Sequence, residues 1–306
     1  DLFAMESRFG ADDALEPIPP ELVEEAVAAR LALVEAAAEG DDTLLEKYFE
    51  EDNLTDEEVG QGLRLSMQQG LCVPIMYAAA ESGVAMIPAL NALARLMPDP
   101  TEAGEFEVET VDGDAESHAV DVNSPLAVLV FKTREDNYGR TSFLRVVGGM
   151  LTSNMTVYDS GSSGSQRMSP PTLALGKESI DTPSLIAGDI GVVGKMGDVE
   201  TGSTLSDSSK KFSLSKIPVP DPIASVAIHP VSQSDISKLS QALTRLTTED
   251  PTLSYHTDAA TRETILSGMG TTHLDIAIKK AASKFGVNLS TTVPKIPYRE
   301  TISRTS

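Results

Sequence analysis

In the first third of the chain, apolar residues recur at helical spacing. Leu22, Val23, Ala26, Val27, Leu31 and Val34 fall three or four apart, the repeat of one helix face. Pro19 and Pro20 suit the first turn and Gly40 the stop. A shorter helix is predicted through Leu44, Leu45, Tyr48 and Phe49. A third opens at Thr55, whose partner Glu58 three residues on makes a capping box, and ends near Gly70. The period then changes. Leu71 to Tyr77 reads as a short buried strand, followed by small residues and a helix from about Met86 to Met97. Pro98-Asp99-Pro100 closes that helix, because the residue before a proline is pushed toward extended geometry. Strand, small-residue loop and helix in this order form the closing unit of an α/β domain.

Residues 105–206 carry a different pattern. Leu126–Phe131, Thr141–Val147, Met155–Tyr158, Leu185–Val193 and Thr204-Leu205 are short β-type runs separated by Gly, Asn, Asp and Ser, the pattern of a small β-barrel. Asn137-Tyr138-Gly139 and Gly148-Gly149 mark turns, and Ser160 to Gly164 marks a hairpin tip. Residues 207–222 are polar and then proline-rich (Pro218, Pro220, Pro222) and read as a stiffened linker. Beyond it come a strand at Ile223–His229, an amphipathic helix at about Ser234–Thr248, and strands near Leu253–His256 and Thr264–Leu266. A helix at about Thr271–Phe285 and a last strand from Val287 complete a β-α-β-β-α-β order, the ferredoxin-like unit. The stretch from Pro294 to Ser306 reads as the first strand of a further domain.

The predicted fold class is therefore multidomain α+β. It comprises helices and a terminal strand and helix of an α/β domain, a β-barrel domain, and a ferredoxin-like βαββαβ domain.

Charge sharpens this division. Residues 1–110 hold 25 acids and 5 bases, a net of −20, whereas residues 111–306 hold 21 acids and 19 bases, a net of −2. Nucleic-acid binding draws on Lys and Arg to displace counterions from phosphate, so the first third is not an RNA-facing surface. It suits a basic protein partner or a solvated face. The single cysteine, Cys72, cannot close an internal disulfide, which favours a reducing, cytoplasmic setting. Its apolar neighbours Leu71, Val73 and Ile75 favour a buried thiol over a nucleophile. No apolar run approaches the roughly eighteen residues of a membrane span. The opening Asp1-Leu2-Phe3, with no starting Met, basic segment or apolar signal core, leads to the expectation of a piece of a longer protein.

Candidate chemistry is sparse. Gly188 to Lys195 superficially suggests a phosphate loop, but five residues separate Gly188 from Gly194, and Met196 follows Lys195 where a hydroxyl is needed. A barrel turn is expected there. His118, His229, His256 and His273 lie far apart with no partner at metal-binding spacing. His273, behind Gly268-Met269-Gly270 at a helix start, is read as a capping or packing residue. No Gly-x-Ser-x-Gly elbow supports a serine nucleophile.

Several motifs resemble those of the elongation factor G family of translational GTPases. Ser267-Gly268-Met269-Gly270-Thr271-Thr272-His273-Leu274-Asp275-Ile276 is similar to its "S-G-M-G-E-L-H-L-E-I". Glu249-Asp250-Pro251-Thr252 is similar to "E-E-D-P-T-F", and His256-Thr257-Asp258 to "H-T-D". Pro294-Lys295 and Tyr298-Arg299-Glu300-Thr301 resemble "K-P-Q-V-A-Y-R-E-T". In the β-rich part, Val130-Phe131-Lys132, Gly139-Arg140-Thr141, Ala187 to Ile190 and Thr201 to Leu205 resemble "A-F-K", "G-R-L", "A-G-D-I" and "T-G-D-T-L". Leu33 to Ala38 with Leu45 to Tyr48 resembles the subdomain inserted in the family's GTPase domain.

The resemblance implies an order of parts. Residues 1–70 would be the inserted helical subdomain and 71–104 the last strand and helix of the GTPase domain. Residues 105–206 would be β-barrel domain II, 207–293 a linker with ferredoxin-like domain III, and 294–306 the first strand of domain IV. It also implies a ribosome-dependent parent that binds GTP with magnesium and couples nucleotide state to translocation. The family's partners are the ribosome, with the stalk protein meeting the acidic 1–70 region, and ribosomal RNA in the parent; no membrane is implied. Ala79 and Ala80 fall where the family has "G-S-A", a loop whose backbone approaches the guanine base, with Ala79 in place of Ser. The P-loop, switch and "N-K-x-D" motifs are missing from these 306 residues, so no catalytic residue, no metal ligand and no nucleotide cofactor is expected for this chain alone. Thr271-Thr272 in place of "E-L" fits a divergent elongation factor G-like paralogue as well as the housekeeping factor. The other reading is a non-enzymatic ribosome-binding regulatory module without a GTPase core.

Overall fold

The computed structural model describes residues 1–9, 14–136, 139–197 and 199–297, which divide into two compact units, Asp1–Asp99 and Pro100–Ser306.

The first unit opens with a hairpin, β1 (Glu6–Phe9) against β2 (Ala14–Pro17), an element the hydrophobic pattern does not predict. Four helices follow: α1 (Val23–Ala38), α2 (Asp42–Glu51), α3 (Asp56–Gln68) and α4 (Met86–Leu96). The starts of α2 and α3 are set by side chains. Asp41 accepts the N–H groups of Thr43 and Leu44 at 3.0 and 3.1 Å, satisfying two of the donors a helix start leaves open. Thr55 and Glu58 form the predicted capping box.

The core gathers Val34, Ala37, Ala38, Leu44, Leu54, Val59, Leu63 and Leu96. At its centre α1 and α3 pack backbone to backbone: a Cβ on Gly62 would stand 2.3 Å from the carbonyl oxygen of Ala37. Only the last turns of α1 are covered. Val23, Val27 and Leu31, expected on a core-facing stripe, are exposed.

Residues 71–78 form no regular strand, contrary to the pattern-based expectation. A strand needs a neighbour to take its N–H and C=O groups, and none lies beside this segment among the described residues. Leu71, Val73, Ile75 and Tyr77 are exposed, while Cys72 tucks against the helical core.

The second unit begins with a β-rich domain: β3 (Glu105–Thr110), β4 (Ala115–Ala119), β5 (Ala127–Asp136), β6 (Gly139–Gly148), β7 (Met150–Thr152), β8 (Thr156–Asp159), β9 (Gly164–Arg167), β10 (Thr172–Leu175), β11 (Glu178–Asp181), β12 (Ser184–Ile186), β13 (Ile190–Gly194), β14 (Thr204–Asp207) and β15 (Phe212–Leu214). They make an eight-stranded sheet in the order β11-β10-β13-β6-β5-β14-β8-β9, with the smaller sheets β12-β7 and β15-β3-β4. All three surround apolar side chains, among them Val128, Val130, Leu144, Val146, Leu151, Val157 and Leu205 in the larger cluster. The segment 207–222 is not all linker, since Phe212–Leu214 pairs with β3 and Phe212 is buried. The turn predicted at Asn137-Tyr138-Gly139 lies, apart from Gly139, outside the described residues.

The ferredoxin-like domain follows: β16 (Ala224–Pro230), α5 (Gln233–Glu249), β17 (Ser254–Thr257), β18 (Thr264–Gly268), α6 (Thr271–Phe285) and β19 (Leu289–Thr292). The sheet order β17-β18-β16-β19 is antiparallel throughout. Ile228 and Leu266 meet Leu243, Leu246, Leu274 and Ala277 of the two helices in the core. The strand expected from Pro294 is not formed over 294–297, and 298–306 lie outside the described residues.

Candidate functional site

Two of the singled-out segments converge in the ferredoxin-like domain. Asp250 is the C-cap of α5, Met269 and Gly270 link β18 to α6, and His273 lies in the first turn of α6. The Met269 N–H donates to Nδ1 of His273 at 3.1 Å. That nitrogen must therefore be unprotonated, so the neutral ring carries its hydrogen on Nε2 and donates it to Asp250 Oδ2 at 2.9 Å. The other oxygen of Asp250 accepts the Thr252 N–H at 3.0 Å and the Thr252 hydroxyl. Burial pushes the Asp250 carboxyl up, but the Thr252 hydroxyl, His273 and the Thr252 amide together hold it below the ordinary aspartate value.

This arrangement settles what His273 can do chemically. Both ring nitrogens are committed, one to a backbone donor and one to a carboxylate, so neither is free to take a proton from a nucleophile. The residue ties two loops together, the packing half of the capping-or-packing role expected of it, since α6 has no side-chain cap. Gly268 is part of the same fit: a Cβ there would lie 3.0 Å from His273 Nδ1 and from Leu253 Cδ2. The Asp250 contact, between residues 23 apart, is not predicted by the sequence. The only available signal was that both residues sit in motifs of one family.

The neighbouring His256-Thr257-Asp258 segment ends in a turn held by its own aspartate. Asp258 accepts the N–H groups of Ala260 and Thr261 at 2.9 and 2.7 Å, and these backbone donors keep its carboxyl below the usual range. The four histidines do not come together. His229 pairs with Thr292 at 2.9 Å, and His118 meets Glu116 at 3.0 Å between the rings of Phe106 and Phe212. Among the described residues no group of three or more His, Cys, Asp or Glu is placed to hold a metal ion.

Ala79 and Ala80 lie on an exposed loop of the first unit. Ala79 and Val84 form an isolated antiparallel bridge, with the Ala79 N–H on the Val84 carbonyl at 3.0 Å and the Gly83 N–H returning to the Ala79 carbonyl at 2.9 Å. Ala80, exposed, opens the tight turn that the bridge closes. The turn also carries Glu81 and Ser82, the Ser82 hydroxyl donating back to the Ala79 carbonyl at 3.4 Å, and nothing in this geometry assigns either side chain a phosphate or a magnesium ion. No step of nucleotide hydrolysis follows from these residues. Gly188 to Lys195 is the turn and strand expected of it: Gly188 has φ +98° between β12 and β13, and no helix follows to present N–H groups to an anion.

Within the second unit a cavity of about 640 Å³ opens between the β-rich and ferredoxin-like domains, with Phe131, Lys132, Lys216, Ile217, Glu249 and Pro251 on its wall. With Glu200, Val219 and the hydroxyls of Ser160 and Ser203 also on the wall, the lining does not single out one ligand chemistry.

Residues 219–293 match the family model of elongation factor G, domain III. Over the whole chain, the structure is similar to a crystal structure of a protein from Thermus thermophilus, with 28% sequence identity and a TM-score of 0.80. The similarity covers 98% of this chain and 43% of that one, so the present residues span under half the length of that protein. The multidomain α+β architecture and the domain III sequence agree, and together they make the chain similar to a fragment of an elongation factor G family protein.

Proposed function

We propose that this chain is the central part of a ribosome-dependent translation factor whose GTP-hydrolysing motifs lie outside these residues. Its share of the work is to pass nucleotide state from the GTPase domain toward the parts that act on the ribosome during translocation. The observation that carries the proposal is the domain III match at residues 219–293, in a domain whose motif residues serve to brace loops rather than to catalyse. The setting is the cytoplasm, and the parent takes GTP with magnesium. Ala79 and Ala80 supply only a backbone edge beside the guanine.

The partner of the first unit is a basic face of the ribosomal stalk. Two features support this: residues 1–110 carry a net charge of −20, and α1 exposes Val23, Val27 and Leu31 every four residues beside Glu24 and Glu25. An apolar stripe rimmed by one sign of charge suits a partner of opposite charge.

The test is co-sedimentation of the purified 306-residue chain with ribosomes, alongside a nucleotide-binding titration. The expected result is salt-sensitive pelleting that falls when stalk protein is stripped from the ribosomes, with no measurable GTP affinity. Tight GTP binding by this chain, or pelleting indifferent to the stalk, would overturn the reading. A full-length gene product that binds ribosomes but hydrolyses no GTP on them would identify the non-enzymatic module instead.

A further inference from the structure

The far end of β5 is an open strand edge. The outer side of β5 pairs with β14 only over Ala127 to Leu129, and Val130 exchanges hydrogen bonds with Ser203 and Gly202 at 2.9 and 2.7 Å. Past that point no strand among the described residues takes up the outward N–H and C=O groups. An edge left in this state has backbone donors and acceptors to satisfy.

At Glu135 the ferredoxin-like domain satisfies them with two side chains. Glu249, the last residue of α5, accepts the Glu135 N–H at 2.8 Å. Lys284, in the last turn of α6, donates to the Glu135 carbonyl at 3.0 Å and pairs with Glu249 itself. The side chain of Glu135 is held as well, by Arg245 of α5 at 3.3 Å and Arg140 of β6 at 3.6 Å. The Glu249 side chain is only 10% exposed, so these are charge-assisted bonds partly shielded from solvent, the stronger kind.

We propose that Glu249 and Lys284 form a two-point latch that grips the backbone of β5 in place of a neighbouring strand and sets the orientation of the ferredoxin-like domain on the β-rich domain. Any turn of one domain against the other within this unit must break both backbone bonds and the Arg245 contact together, so the latch makes the junction two-state rather than gradual. The assignment of ends matters: carboxylate to N–H and ammonium to C=O. It does not rest on the ribosomal reading above, and its test needs no ribosome.

Amide hydrogen exchange of the 306-residue chain reads the latch directly at the Glu135 N–H. In the unaltered protein that amide exchanges slowly. Glu249→Gln, which keeps an acceptor but removes the charge, and Lys284→Met should each speed its exchange about tenfold or more. The amide of Leu266, in the central strand β18, should stay as protected as before, reporting that the domain remains folded. The exchanged pair Glu249→Lys with Lys284→Glu preserves the ion pair but offers each backbone group the wrong partner, so Glu135 should stay fast. Wild-type protection at Glu135 in Glu249→Gln or in the exchanged pair would overturn the latch. Acceleration spread equally to Leu266 would also overturn it, because Glu249 would then be a general stabiliser of its domain.

Discussion

At the scale of single residues, Glu58 does more than complete a cap. Its carboxylate takes the Lys47 ammonium at 2.7 Å, and the Thr55 N–H and hydroxyl each at 2.8 Å. Lys47 first, and then the Thr55 backbone and hydroxyl, lower its pKa from 4.5 to about 2. A carboxyl whose folded pKa lies below its unfolded one adds stability that is complete above the unfolded value and lost as pH falls through the folded one. For Glu58 that window runs from about pH 4.5 down to about 2. In urea titrations of the 306-residue chain, Glu58→Gln should be less stable than wild type at about pH 6, with the gap closing toward zero near pH 2. A gap independent of pH would show that Glu58 acts through shape alone. The capping box itself was legible, because its partners lie three residues apart. The Lys47 contact, between residues on two helices, was not. The same distinction covers His273, whose packing role at a helix start was readable from its position while its partner Asp250 was not.

Among the elements, the helices were the most legible. Period, caps and stops within a dozen residues placed α1 to α6 to within a few residues, and the ferredoxin-like order followed from them. Short strands were less legible. β3, β4, β9, β10, β11 and β15 run from three to six residues, too few for an alternation to stand out, and among the described residues β15 pairs only with β3, about a hundred residues earlier. The segment 71–78 shows the converse. It has the composition of a strand, but composition cannot supply the neighbouring ladder. Close packing is equally hidden in a sequence, since Gly62 looks like a weak point inside α3 while its missing side chain is what lets α1 approach. Gly62→Ala would gain up to about 1 kcal/mol in helix propensity, yet its Cβ would meet the Ala37 carbonyl at 2.3 Å. Overpacking against backbone costs about 1–3 kcal/mol, and here the obstacle is a helix that cannot rotate aside. The variant is therefore expected to lower the urea midpoint of the first unit by the equivalent of about 1–2 kcal/mol. A variant more stable than wild type would mean that α1 shifts freely.

For the whole molecule, the decisive quantity is how charge divides between the two units. Residues 1–99 carry 21 acids and 5 bases, a net of −16, and residues 100–306 carry 25 acids and 19 bases, a net of −6. The smaller unit thus holds most of the −22 on under a third of the chain. Concentrated like charge repels itself in the folded state, and salt screens that repulsion over a Debye length of about 10 Å at 0.1 M. Each unit has its own core, so each can unfold as its own cooperative transition. Raising sodium chloride from about 10 to about 300 mM shortens the screening length roughly from 30 Å to under 10 Å, within the span of a small domain. The transition assigned to residues 1–99 should then move to higher temperature by several degrees in calorimetry, while that of residues 100–306 stays nearly still or falls slightly as its ion pairs are screened. Glu58→Gln labels the first transition, since it should shift that one alone. If salt instead destabilised the labelled transition, local pairs such as Arg30 with Asp56 at 2.5 Å and Lys47 with Glu58 at 2.7 Å would outweigh the repulsion. The acidic surface would then be an organised network in its own right rather than an unbalanced field awaiting a basic partner.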